Sequence, residues 1–266
     1  MFKIGIIGCG NMGEAVVRGI INSGKVKSTQ IIVSDIDPDK VEMTVEKYNV
    51  AGTTSNRRVV ENSEIIFLAV KPKDLEKTVL PIKDAFNNKK TVVSVLAGVK
   101  ITKIKNLIPQ STVVRCMPNT PALIGEGALG VSFEKNIDIS KKEEITQILK
   151  SLGTVVEVDE ELMDAVTGLS GSGPAYVFMF IEGLIQGGIK EGLSYKQAKD
   201  LAVQTVLGSA KLMKESDEHP SVLRDKVSSP GGTTIYALHK LEEKGLKDAV
   251  ISAVSEASKR SKELSK

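Results

Sequence analysis

The stretch Ile4-Gly5-Ile6-Ile7-Gly8-Cys9-Gly10-Asn11-Met12-Gly13-Glu14-Ala15-Val16-Val17-Arg18 runs a short apolar strand straight into a GxGxxG turn and on into a helical pattern. The three glycines alone are a weak signal. With a strand before them and a helix after, they have the context of a dinucleotide-binding turn. Each has its own reason: Gly8 permits the tight turn, Gly10 lets the backbone approach a pyrophosphate, and Gly13 lets helix and strand pack closely. A phosphate would then meet the free N–H groups of a helix that begins near Asn11 and Met12. The bland alternative is a glycine-rich turn without a ligand. It leaves the strand–turn–helix order unexplained.

Outward from this turn, short apolar runs alternate with amphipathic segments. The strand-like runs are Ile4–Ile7, Ile31–Val33, Ile65–Val70, Thr91–Val95 and Thr112–Arg115, with helical patterns such as Pro38–Tyr48 and Lys73–Ala85 between them. Ala128–Ser132 and Thr154–Val158 read as two more strands around a helix over Lys141–Leu152. Beyond Asp159 the runs are long and helical: Pro174–Glu191, Tyr195–Glu215, Thr233–Glu243 and Leu246–Glu263. Strands alternating with helices predict an α/β fold. The expectation is an N-terminal Rossmann-like, doubly wound, mostly parallel sheet over residues 1–158. A C-terminal all-helical domain follows over residues 159–266.

The helix expected over Pro174–Glu191 is apolar on most of its circumference, yet Gly183, Gly187, Gly188 and Gly192 lie in or beside it. Glycine inside a helix costs about 0.5–1 kcal/mol relative to alanine. Several together suggest that another backbone comes very close. A central helix of one bundle and a helix buried between interlocked subunits both satisfy this.

Asp35 ends the second strand, where an acid can accept hydrogen bonds from an adenosine ribose and repel a 2′-phosphate. That favours NADH over NADPH. Asp37-Pro38 reads as the cap and first residue of the next helix, which frees Asp35 for the ribose. Against this, Arg57 and Arg58 follow Asn56 in a turn that could reach the same corner and pair with a 2′-phosphate. Both cofactors stay open.

Two further small-residue loops each run into a helix: Leu169-Ser170-Gly171-Ser172-Gly173-Pro174-Ala175-Tyr176 and Val227-Ser228-Ser229-Pro230-Gly231-Gly232-Thr233-Thr234-Ile235. The second offers unpaired N–H groups at a helix start, beside hydroxyls, which suits a carboxylate.

With these motifs the chain resembles the pyrroline-5-carboxylate reductase family over essentially its whole length. The resemblance is carried by Gly8–Glu14, Ala69-Val70-Lys71-Pro72, Ala97-Gly98-Val99, Arg115-Cys116-Met117-Pro118-Asn119-Thr120-Pro121, Asp164–Tyr176 and Ser228–Leu238. It implies reduction of the cyclic imine Δ1-pyrroline-5-carboxylate to L-proline by NADH or NADPH. It also implies a helical substrate-binding and dimerisation domain, hence a homodimer or a larger assembly of such dimers. For the cofactor, it places Asn56 near the adenosine ribose, and Ala69, Val70, Lys71 and Pro72 in a lining turn. Ala97 and Gly98 fall beside the nicotinamide, with Asn119 in a loop close by. Ser229, Gly232, Thr233 and Thr234 match the loop that holds the substrate carboxylate and, through a threonine hydroxyl, the ring nitrogen. Thr234 is the catalytic candidate. Asp35 departs from members that carry Ser or Asn there and use NADPH.

Composition excludes several other classes. The net charge is only +3 and lysines alternate with acids, without the clustered basic stripe that nucleic-acid binding needs. Two distant cysteines outside any CxxC pattern argue against a disulfide framework or a metal site and for a reducing cytoplasm. The strand at the very N-terminus leaves no room for a targeting peptide, and Ala175–Ile181 is far below the ~20 apolar residues that span a bilayer. His219, before Pro220, and His239 read as surface or capping residues. Cys9 and Cys116 read as structural.

Two rivals can be named. A β-hydroxyacid dehydrogenase of the same architecture would need a lysine beside its substrate, for which Lys190 is the candidate, though without that family's surrounding motif. A dinucleotide sensor would need no substrate loop.

Overall fold

The computed structural model describes residues 1–264. Eight strands form one sheet: β1 (Phe2–Ile7), β2 (Ile31–Ser34), β3 (Ala51–Thr53), β4 (Ser63–Leu68), β5 (Thr91–Ser94), β6 (Thr112–Met117), β7 (Gly127–Phe133) and β8 (Gly153–Glu157). Their order is β3-β2-β1-β4-β5-β6-β7-β8. Every pairing is parallel except β6 with β7. Ile4, Ile6, Ile31, Ile65, Ile66, Phe67, Val92 and Val93 are all buried. A sheet covered on both faces needs such unbroken apolar runs. The two cores, one on each face, are built mainly from Val, Ile and Leu with a single buried phenylalanine apiece, Phe67 and Phe86.

The helices of this part are α1 (Asn11–Asn22), α2 (Pro38–Tyr48), α3 (Asn56–Asn62), α4 (Leu75–Val79), α5 (Ile101–Leu107), α6 (Ile139–Leu149) and α7 (Met163–Val166). Two differ from the sequence reading. Asn56-Arg57-Arg58 opens a helix and not a turn, because the Ser55 hydroxyl accepts from the Arg58 N–H at 3.3 Å and caps it. The single helix expected over Lys73–Ala85 is broken into a 3-10 turn, α4 and a second 3-10 run. Pro81 lacks the N–H an α-helix requires, and Ile82 leaves helical geometry (φ −128°, ψ 15°).

The chain forms two compact units. The first comprises residues 1–172 and the described residues from Ser255 on; the second is Gly173–Val254. The division thus falls at Gly173, later than residue 158. The reason is that the segment after β8 packs on the sheet: Met163 is fully buried, Val166 fills the space beside Gly130, and the Ser261 hydroxyl donates to Asp164 Oδ1 at 2.6 Å. Between α7 and the second unit runs a π-helical turn, Thr167–Gly171.

The second unit holds α8 (Gly173–Lys190), α9 (Tyr195–Glu215), α10 (Pro220–Lys226), α11 (Thr233–Glu243) and the start of α12 (Leu246–Leu264). Here α8 meets α9 where Gly188 leaves just enough room for the methyl of Ala198. None of the residues of α8 is buried; Phe178 is 64% and Met179 76% exposed. No helix among the described residues is long and apolar enough to cross a membrane.

Candidate functional site

The strand order reverses direction between β1 and β4, and in open parallel sheets ligands bind at that switch point, outside the carboxyl ends of the strands. The residues singled out in the first unit gather along this edge. Gly8 follows β1 with φ +109°, and a β-carbon there would lie 2.6 Å from the Ala69 carbonyl oxygen. Gly13 faces the Gly8 carbonyl so closely that any side chain would collide with it. Gly10 differs: a β-carbon would meet nothing within 4 Å. Its space is open, and no side chain caps the start of α1, so the amides of Asn11, Met12 and Gly13 are offered outward. The residues therefore fit a pyrophosphate.

Asp35 follows β2. Its Oδ2 accepts from the Cys9 N–H at 2.8 Å and its Oδ1 from the Asp37 N–H at 3.0 Å. The carboxylate is thus a brace for the phosphate turn, with one lone pair left on each oxygen. Asp37 is the cap of α2, accepting from the Asp39 N–H at 3.1 Å, as its place before Pro38 predicts. Asn56 accepts from the Ser34 hydroxyl at 2.8 Å through Oδ1, so its NH2 group is left without an acceptor among the described residues. Arg57 is committed elsewhere: two bonds of 2.9 and 2.7 Å reach Asp84, and one of 3.3 Å reaches Glu61. The Asp84 hydrogen bonds hold its guanidinium above its ordinary range. Arg58 is exposed, and its guanidinium has no acid beside it among the described residues.

The turns after β4 and β5 continue the edge. The Ala69 N–H donates to the Ile7 carbonyl at 2.8 Å and the Val95 N–H to Leu68 at 3.1 Å. Val70 is half-buried and leads to Lys71 and Pro72, which open a 3-10 turn. Ala97 is exposed; Gly98 is buried with φ +74°, a backbone that favours glycine. Asn119 follows β6 and is 8% exposed, with both ends of its carboxamide bonded within the protein.

The other set lies within the second unit. Gly232 is the N-cap residue of α11, and no side chain caps the helix start. Thr233 and Thr234 are its first two residues. Neither hydroxyl has a protein partner among the described residues. Thr234 is therefore not the cap. Ser229 packs against Gly232, where a β-carbon would displace the serine hydroxyl, and its carbonyl accepts from the Gly232 N–H at 3.0 Å. A cavity of about 540 Å³, lined by Arg224, Ser228, Gly231, Ile235, Tyr236 and His239, opens beside α11. His239 lines it, a place its charged sequence neighbours did not suggest. His219 caps α10, its Nδ1 accepting from the Ser221 N–H at 3.3 Å.

Sequence reasoning missed Ser34, which orients Asn56, and Arg115, which is 4% exposed beside Glu160 at 3.4 Å. The available signal was a polar residue inside an apolar strand run. The thiols are poor nucleophiles: burial pushes Cys9 up to about 11 and raises Cys116 as well. Among the described residues no three His, Cys, Asp or Glu side chains are grouped to hold a metal. Lys190, required by the dehydrogenase reading, is exposed at the end of α8.

Comparisons with known proteins match the two parts of the chain to different family models. Residues 160–264 match the family model described as pyrroline-5-carboxylate reductase dimerisation, and residues 3–98 match that described as NADP oxidoreductase coenzyme F420-dependent. The chain is 43% identical to the pyrroline-5-carboxylate reductase of Methanosarcina acetivorans, over 99% of this chain and 98% of that one. It superposes on the pyrroline-5-carboxylate reductase structure from Coxiella burnetii with a TM-score of 0.93 at 35% identity, covering 100% and 99% of the two chains. It superposes on that from Plasmodium falciparum, with NADP bound, at 0.90 and 35%, covering 100% and 98%.

Proposed function

The chain belongs to the pyrroline-5-carboxylate reductase family, and we infer from that membership that it is an NAD(P)-dependent reductase turning Δ1-pyrroline-5-carboxylate into L-proline. The observation that carries this reading is the open, uncapped phosphate turn at the sheet's switch point, in a chain matched end to end by reductases of one substrate. When bound, the reduced nicotinamide supplies the hydride that the imine carbon receives. The chain's own residues bind and orient. The amides of Asn11, Met12 and Gly13 face the pyrophosphate across Gly10, after the turn at Gly8. The Asn56 NH2 serves the ribose. Ala69, Val70, Lys71 and Pro72, then Ala97, Gly98 and the Asn119 loop, line the rest.

For the substrate, the open amides of Thr233 and Thr234, with Ser229 and the Gly232 turn, suit a carboxylate. The Thr234 oxygen accepts from the protonated ring nitrogen and holds the more electrophilic iminium form. Fixing both reactants in contact supplies much of the acceleration, so no His/Asp or Cys/His pair is required. Consumption of reduced nicotinamide on addition of pyrroline-5-carboxylate, and not of a β-hydroxyacid's keto form, tests the reading. The reverse selectivity would overturn it.

We further propose that NADH serves at least as well as NADPH. Asp35 sets negative charge where a 2′-phosphate would sit, and Arg57 is already held by Asp84. Asp35→Ser also removes the brace on Cys9, so both cofactors should bind more weakly. The ratio of kcat/KM values is the readout, and it should move toward NADPH. A wild-type enzyme that strongly prefers NADPH would mean that Arg58 or a released Arg57 holds the phosphate.

The family assembles as dimers or larger oligomers, and we propose α8 as the central contact. An apolar helix with no buried residue in its own chain needs a cover. A β-carbon on Gly187 meets nothing within 4 Å among the described residues, so Gly187→Leu enters open space on the lone chain and the melting temperature of the variant checks its fold. Light scattering should nonetheless show dissociation or precipitation; an unchanged dimer would exclude α8. We place the enzyme in the reducing cytoplasm, in keeping with two free, buried cysteines.

A further inference from the structure

Family resemblance puts Asn119 beside the nicotinamide, but its side chain is occupied elsewhere. Nδ2 donates to the Ser170 carbonyl at 3.0 Å, and Oδ1 accepts from the Ala128 N–H at 3.0 Å. One carboxamide thereby joins three segments: the loop leaving β6, the start of β7 and the π-helical turn Thr167–Gly171. That turn is seated on the same two strands. A β-carbon on Gly171 would lie 2.9 Å from the Met117 methyl, and Val166 occupies the gap at Gly130. Its own hydroxyls are not offered to a ligand. Thr167 donates to the Met163 carbonyl at 2.9 Å and Ser170 to Val166 at 3.0 Å.

Single π-helical turns are rare and are frequent at functional sites. In this one the Ser170 carbonyl accepts from Asn119. Met117 ends β6, and β6 neighbours β5, whose carboxyl end carries Ala97 and Gly98. We propose that Asn119 is a positioning residue for the reductase reaction: its carboxamide fixes the π-helical turn against the carboxyl edge of β6 and β7. It acts on the geometry of the reacting centre and not on cofactor affinity. The proposal rests on the reading of the reaction given above.

The test uses Asn119→Ala and Asn119→Asp in the full chain. Misplacement of a reacting centre by about 1 Å can cost about 100-fold, so kcat should fall roughly 10- to 100-fold. The Kd for reduced nicotinamide cofactor, read by its fluorescence without substrate, should stay within about twofold. Asn119→Asp keeps the acceptor for Ala128 and regains a donor to Ser170 only when protonated. Its kcat should therefore recover as the pH falls, along a limb the wild type lacks. Amide exchange at Ser170–Ser172 should quicken in Asn119→Ala. A Kd that rises in step with an unchanged kcat would make Asn119 a cofactor ligand and overturn the proposal. So would a lower Tm with normal kcat and no pH limb. If the wild type does not reduce pyrroline-5-carboxylate, the reaction is wrong, and amide exchange still judges the clamp: unchanged protection at Ser170–Ser172 overturns it.

Discussion

Gly13→Ala is expected to weaken cofactor binding at least about 100-fold and to destabilise the chain by about 1–3 kcal/mol. The new methyl group would enter space held by the Gly8 carbonyl. That oxygen belongs to a turn pinned by the Gly8 N–H to Ser34 bond of 2.7 Å and by the Asp35 brace on Cys9. Backbone held on both sides cannot move aside cheaply, so the amides offered to the pyrophosphate shift as a group. Each hydrogen bond to a charged partner is worth about 1.5–3 kcal/mol, and losing two gives the expected factor. Gly10→Ala is the contrasting case. Its methyl group meets nothing within 4 Å among the described residues, so stability should change by no more than about 1 kcal/mol, while cofactor affinity still collapses. Calorimetric melting beside a cofactor titration separates the two. Equal damage to stability in both variants would mean that the turn is only a packing device.

Thr234→Ala is the second large effect. The hydroxyl has no partner among the described residues, and Thr234 sits within the first turn of α11 behind the Gly232 cap. Removing it costs the fold little. A hydrogen bond to a charged group at about 1.5–3 kcal/mol corresponds to a kcat lower by roughly 10- to 150-fold. Cofactor Kd should not move, because those donors lie in the first unit. Thr234→Ser keeps the oxygen and should keep most of the activity. An alanine variant that melts earlier but turns over normally would leave the ring nitrogen to water.

Much of this was legible before the structure. The strand–GxGxxG–helix order gave the switch-point turn, Asp37-Pro38 the start of α2, and Tyr195–Glu215 and Thr233–Glu243 the bounds of α9 and α11. These are local signals: apolar periodicity, caps and glycine. What escaped was set by contacts distant in sequence. Strand β3 is three residues long with Gly52 at its centre, too short for any period, and it exists because β2 offers an edge. The segment 159–172 carries no strand or long helical run of its own and falls on the C-terminal side of the boundary read at residue 158. In the structure it packs on the sheet through Met163 and Val166, contacts that no local period announces. At the site, the residue types were readable but their duties were not. Asp35 braces Cys9, Arg57 is withdrawn by Asp84, and Asn119 reaches Ser170. None of those partners is within twenty residues of its mate, so no motif could announce them.

The most direct test of the account is where the hydride goes. Proline formed by the wild-type enzyme from pyrroline-5-carboxylate and reduced nicotinamide carrying deuterium at the transferable position should be analysed by mass spectrometry. The account predicts a single deuterium, on the ring carbon that was the imine carbon, and the same singly labelled proline formed more slowly by Thr234→Ala. Proline without deuterium, or deuterium on any other carbon, would contradict it.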